Sequence, residues 1–130
     1  MRLTANGQTL TQPIVIKMDP RVKVTPEVQQ IFALSAQMES QAHAAVKAHD
    51  ELSALIATLK TGAQSEAVTA RLKKLNDMDA ELGAMGGKLI GAVMPLQGTE
   101  MPPTATELAA CKKQSEEYAA LMAKWAALKK

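Results

Sequence analysis

At 130 residues the chain fits one domain, with room for a modest core if its helices rest on one another. Apolar residues make up 47% of it but aromatics only 2%, so Ala, Leu, Met and Val must fill that core. With so few large rings to anchor a unique packing, moderate stability is expected. A net charge of +2, from 15 basic and 13 acidic residues, is too balanced for the field of a nucleic-acid binder.

In chain order, Asn6-Gly7 lies between Arg2-Leu3-Thr4-Ala5 and Gln8-Thr9-Leu10-Thr11. This dipeptide supplies the two positive φ angles of a type I′ turn, which predicts a short β-hairpin. Ile14, Val15 and Ile16 keep strand character, so the second arm is expected to continue through Pro13 toward Met18, with the proline marking an edge or bulge. A lone hairpin is marginal in water and needs a sheet or helix to lie against. Residues 1–24 are read as hairpin and extended linker, and 25–130 as a helical bundle forming one structural unit with it.

Thr25-Pro26-Glu27 reads as an N-cap, an N1 proline and an early acid. Val28, Ile31, Met38, Ala42, Ala45, Leu52, Ile56 and Leu59, joined by Phe32 and Val46, then recur at helical spacing up to Gly62. This predicts a helix over about 26–60. A second helix is predicted over about 65–93, with Val68, Leu72, Leu75, Leu82, Met85 and Leu89 as its stripe. Near its end, Gly83, Gly87 and Gly91 recur every four residues, each costing up to about 1 kcal/mol relative to Ala. Two readings stand open: a glycine face for close helix contact, or a frayed end before Pro95. Thr104-Ala105-Thr106-Glu107 has the form of a capping box and opens a third helix over about 104–129, with Leu108, Cys111, Ser115, Tyr118, Met122 and Trp125 on one stripe. The fold class predicted is mainly α: an antiparallel three-helix bundle with a short N-terminal β-hairpin.

Candidate chemistry is sparse. Glu39, Asp50, Glu51, Asp77, Asp79, Glu81, Glu116 and Glu117 lie on polar helix faces, where ion pairing such as Glu39 with His43 is the default. His43 and His49, six positions apart, are rotated by about 240° and do not share a metal; His49 falls on the apolar seam as a hydrogen-bonded boundary residue. The single Cys111 excludes an intrachain disulfide and reads as a small buried side chain. Arg71, Lys73, Lys74, Lys112 and Lys113 read as solvated faces, and no aromatics interleave with them for base stacking. Met94 and Met101 are candidates for an exposed apolar patch. No catalytic, metal or cofactor site is assigned. The most apolar stretch, 82–96, is interrupted by Lys88 and Pro95 and is shorter than a membrane span. The first residues lack the apolar region of a signal peptide.

The Asn6-Gly7 hairpin, Gln12-Pro13-Ile14-Val15-Ile16, the Asp19-Pro20-Arg21-Val22 junction, the long helix, and Pro102-Pro103-Thr104 opening a last helix together carry a resemblance. The chain resembles the C-terminal region of large bacterial sortilin-like, BNR-repeat glycosyl-hydrolase-like proteins, in which a β-propeller and a β-sandwich segment precede a helical tail. The propeller and its acids are absent from this sequence, so no glycosidase activity carries over. The resemblance implies a tail whose hairpin lacks the rest of its sandwich, leaving Ala5, Leu10 and the run 14–16 short of partners and open to another chain.

The function expected is therefore a non-enzymatic structural or protein-interaction helical module. Its partner would be a protein, either the missing sandwich and propeller or a second copy, with Ile14, Val15, Ile16, Phe32, Tyr118 and Trp125 as the candidate interaction surface. Location is periplasmic or secreted under the resemblance, and cytoplasmic if Met1 is the native start. The alternatives are an accessory module of a carbohydrate-active enzyme, or a stand-alone cytoplasmic helical adaptor.

Overall fold

A computed structural model of the chain describes residues 2–17, 19–21, 24–63, 65–98 and 101–129. Its elements in order are the strands β1 (Arg2–Ala5) and β2 (Gln8–Thr11) and the helices α1 (Pro26–Thr61), α2 (Glu66–Gln97) and α3 (Ala105–Leu128). The strands form an antiparallel hairpin with Thr4 opposite Thr9 and Ala5 opposite Gln8. Asn6 (φ 50°) and Gly7 (φ 75°) both sit in the left-handed region, as the type I′ turn requires. β2 stops at Thr11, short of the extension expected toward Met18, which lies outside the described residues. Pro13 has no N–H for a ladder, and among the described residues no third strand waits beside it.

Each helix starts on the signal written for it. Thr25 Oγ1 accepts from Val28 N at 3.4 Å with Pro26 in the first turn, and Ser65 Oγ accepts from Val68 N at 3.3 Å. Thr104 and Glu107 close a full capping box, with Glu107 N donating to Thr104 Oγ1 at 3.3 Å and Thr104 N donating to Glu107 Oε2 at 2.8 Å. Those bonds from Thr104, its backbone N–H first, hold the Glu107 carboxyl below the ordinary carboxylate range. α1 stops before Gly62, which is extended (φ −83°) and not in the left-handed cap conformation usual for glycine. α2 runs past the predicted end and through Pro95. So near the terminus the proline removes one helical bond only, and Leu96, 2% exposed, anchors the last turn in the core.

The helices run up, down, up. Ser53 of α1 bonds Asp79 of α2, Cys111 of α3 donates to the Ala92 carbonyl of α2, and Ser115 of α3 donates to Gln41 of α1, so α1 and α3 are parallel with α2 antiparallel between them. The α1–α2 seam is the most extensive. Met38, Ala42, Ala45, Ala48, Leu52 and Ile56 of α1 meet Leu75, Met78, Leu82, Met85, Leu89, Val93 and Leu96 of α2, and Cys111, Leu121 and Trp125 of α3 close the core. Gly86 is buried in this seam and faces α1: a Cβ there would make ordinary contact, 3.5 Å from Val46 Cγ2 and 3.7 Å from the Ala42 carbonyl oxygen. Among the described residues no backbone contact joins the hairpin to the three helices.

Candidate functional site: an apolar groove and an uncovered strap

The large apolar side chains left most exposed fall mainly in two places. Ile14, Val15 and Ile16, 61%, 75% and 93% exposed, follow the hairpin as a strap outside any helix or strand. Phe32 (69%), Val46 (53%) and Ile90 lie along the α1–α2 seam, while Met94 and Met101 are exposed outside it. Helical periodicity puts Val28, Phe32 and Val46 with the core stripe; in the folded chain they form a second, exposed stripe, rotated away from Met38, Ala42 and Ala45.

That second stripe walls an open groove. One part, about 650 Å³, runs between Glu39, His43 and Val46 of α1 and Gly83, Gly87 and Ile90 of α2. It meets a second part, about 480 Å³, at Ser35, Glu39 and Gln97, and that part continues to Phe32 and Val28 near the start of α1. Gly87 faces open space, with nothing within 4 Å of where its Cβ would be, and the same holds for Gly91. The four-residue glycine pattern is therefore split: Gly83 stands against His49 of α1, Gly87 and Gly91 face open space, and the glycine buried in the seam is Gly86. The helix is continuous through the pattern, so it is not a frayed end. The Ser35 hydroxyl oxygen is buried on the groove's wall without a hydrogen-bond partner. Glu39 supplies the groove's negative charge and stands 3.7 Å from His43 Nε2, the pair predicted one turn apart.

The remaining candidates sit elsewhere. Trp125 is 3% exposed in the core with Lys129 Nζ 5.2 Å from its ring centre, and Tyr118 is half-buried against the same core. The six proposed interaction residues therefore do not make one surface: Ile14, Val15, Ile16 and Phe32 are accessible, while Trp125 is a core residue. A sugar-stacking platform reduces to Phe32 alone. Cys111 is fully buried, and that burial, with Glu107 nearby, raises its thiol pKa.

Of the acids, Asp79 has the most defined surroundings. Ser53 Oγ donates to its Oδ1 at 3.0 Å and His49 Nε2 approaches the same oxygen at 3.3 Å. A nucleophilic triad needs the imidazole between hydroxyl and carboxylate. Here both groups converge on the carboxylate, which makes a clip between α1 and α2. Gly83 leaves room for it, since a Cβ there would come within 3.2 Å of His49 Nε2. Glu51 pairs with Lys129, whose hydrogen bond holds its carboxyl below the ordinary range; Glu116 and Glu117 pair with Lys112 and Lys113 one turn earlier. At the linker, the Arg21 side chain and then its backbone N–H lower the Asp19 carboxyl in the same way, closing a tight turn around Pro20. Among the described residues no group of three His, Cys, Asp or Glu side chains is placed to hold a metal, and no helix is long and apolar enough to cross a membrane.

Periodicity alone did not separate the groove stripe from the core stripe, because the two lie side by side on α1. The usable signal was Phe32: a lone large ring set off the Met38 seam, on the face that Gly87 leaves open. No protein-family model matches the chain, and neither the curated proteins nor the solved structures compared with it gave a match.

Proposed function

We propose that the chain is a non-enzymatic protein-interaction module, the helical tail of a larger exported β-propeller protein, whose bundle carries a β-element that completes its packing on another protein surface. One observation carries this reading: among the described residues no backbone contact joins the hairpin to a helix, and the strap behind it exposes three β-branched side chains in a row. A two-stranded hairpin is marginal in water, and its outer edges are templates for a further strand. Burial of Ile14, Val15 and Ile16 against a neighbouring apolar layer would supply roughly 1.5–3 kcal/mol per side chain before the ordering cost. The resemblance of Gln12-Pro13-Ile14-Val15-Ile16 and the Asp19-Pro20-Arg21 turn to a sandwich-to-tail junction makes the missing sandwich one candidate for that layer, and a second copy of the chain is the other.

Removal of residues 1–24 tests the reading. At low-micromolar concentration the truncated bundle is expected to melt within about 2 °C of the full chain, because no backbone contact joins the hairpin to it. Hydrogen exchange on the dilute monomer should show residues 14–16 without protection. A truncation that lowers the melt by more than about 5 °C would make the hairpin a cover for the bundle's own core and end this interpretation.

A further inference from the structure

We propose that the strap of one chain occupies the α1–α2 groove of a second copy, so that two chains exchange straps reciprocally. This rests on the interaction-module reading and names the partner for that surface. Strap and groove are the two main apolar exposures of the molecule, and each is what the other lacks. Side chains alternate along an extended segment, so Ile14 and Ile16 share one side and can enter the groove together while Val15 faces away. The groove's floor is open where they would go, because Gly87 has nothing within 4 Å of its Cβ position. Charge agrees: Lys17 directly follows Ile16, and Glu39 carries the negative charge on the groove wall.

Tether length permits the strap to reach its own groove, so its exposed position is what points to a second copy. Nine residues separate Ile16 from Pro26, a reach of about 30 Å when extended, enough for a groove that begins at Val28. Yet the strap lies off its own groove. The linker between them holds the Asp19–Arg21 clip, with Arg21 N at 2.9 Å and Nη2 at 2.7 Å from Asp19 carboxylate oxygens, around a proline of fixed φ. With the strap standing off its own groove, both remain open to a second copy, and a two-fold exchange satisfies both straps and both grooves at once.

The test is light scattering on the full chain over roughly a hundredfold range of concentration, since an exchange dimer must follow mass action. The chain is expected to pass from 13.9 kDa to a dimer of twice that mass. Ile14→Lys with Ile16→Lys should weaken the dimer at least tenfold. Gly87→Leu should do the same by filling the groove, while leaving the melt of the dilute monomer unchanged or higher. Mixing the strap variant with the groove variant leaves one intact strap and one intact groove, and should restore a weaker heterodimer; that result excludes misfolding as the cause of either loss. A wild-type chain that stays monomeric throughout overturns the proposal, whether the strap is then unprotected from exchange or protected on its own groove. So does a dimer indifferent to Gly87→Leu. Both failures leave the module reading intact as long as the truncated bundle keeps its melt.

Discussion

Gly83 and Gly87 lie four residues apart on the same helix, yet the same substitution should stabilise the chain at one and leave it unchanged at the other. Replacing either with Ala removes the propensity cost of a mid-helix glycine, about 1 kcal/mol. With an unfolding entropy of roughly 2.1 cal/mol/K per residue over 130 residues, that corresponds to about 4 °C in Tm. Gly87→Ala should deliver the whole gain, because its Cβ enters open space. Gly83→Ala places a Cβ 3.2 Å from His49 Nε2, which is already held 3.3 Å from Asp79. The ring must move and the clip loosens; for a pair about one-third exposed this costs on the order of 0.5–1 kcal/mol and cancels the gain. In a His49→Ala background the obstruction is gone, and Gly83→Ala should again raise Tm by about 4 °C. Thermal melts of the four variants at low concentration decide it. A Gly83→Ala variant as stabilising as Gly87→Ala in the wild-type background would refute the close approach of His49 and the account of the clip.

Leu82→Ala and Leu89→Ala, at positions 1% and 0% exposed, should each cost about 2–5 kcal/mol, while Val46→Ala at 53% exposure should cost under about 0.5 kcal/mol by denaturant titration. Thr104→Ala should cost about 1 kcal/mol by losing the capping box. Glu51 and Glu107 have folded-state pKa values below their ordinary ones, so the stability they give is present above the ordinary carboxylate value and is lost as pH falls through the lowered one. Tm should therefore drop on the acid side, and Glu107→Gln should flatten that drop; an unaltered acid limb would count against the box. Cys111 should resist a thiol reagent in the native chain and react fully in denaturant; rapid native labelling would contradict its burial.

Helix starts were legible because they are chemical signals local in sequence: Thr25-Pro26, Ser65 and the Thr104–Glu107 box each bond the backbone within three residues. The hairpin turn was legible for the same reason. The end of α2 was not, since Leu96's burial against other helices outweighs a proline that costs little in a last turn. Strand extension failed at Pro13 because β-branched residues make strand only beside a partner strand, and none is there among the described residues. Which glycine faces α1 was hidden too. Gly86 and Gly87 differ by 100° around the axis, and only the packed partner tells them apart.

On the α1 side the α1–α2 seam repeats a small side chain, Ala42, Ala45 and Ala48, in a core shared with the leucines and methionines of α2. Apolar burial is non-directional, so a slide of one turn, about 5.4 Å, would keep much of it. Ser53 and His49 can reach the Asp79 carboxylate in one register only. The contact adds little to stability at its exposure, but it serves as an index mark between two nearly smooth surfaces, as a single polar residue does in a coiled coil.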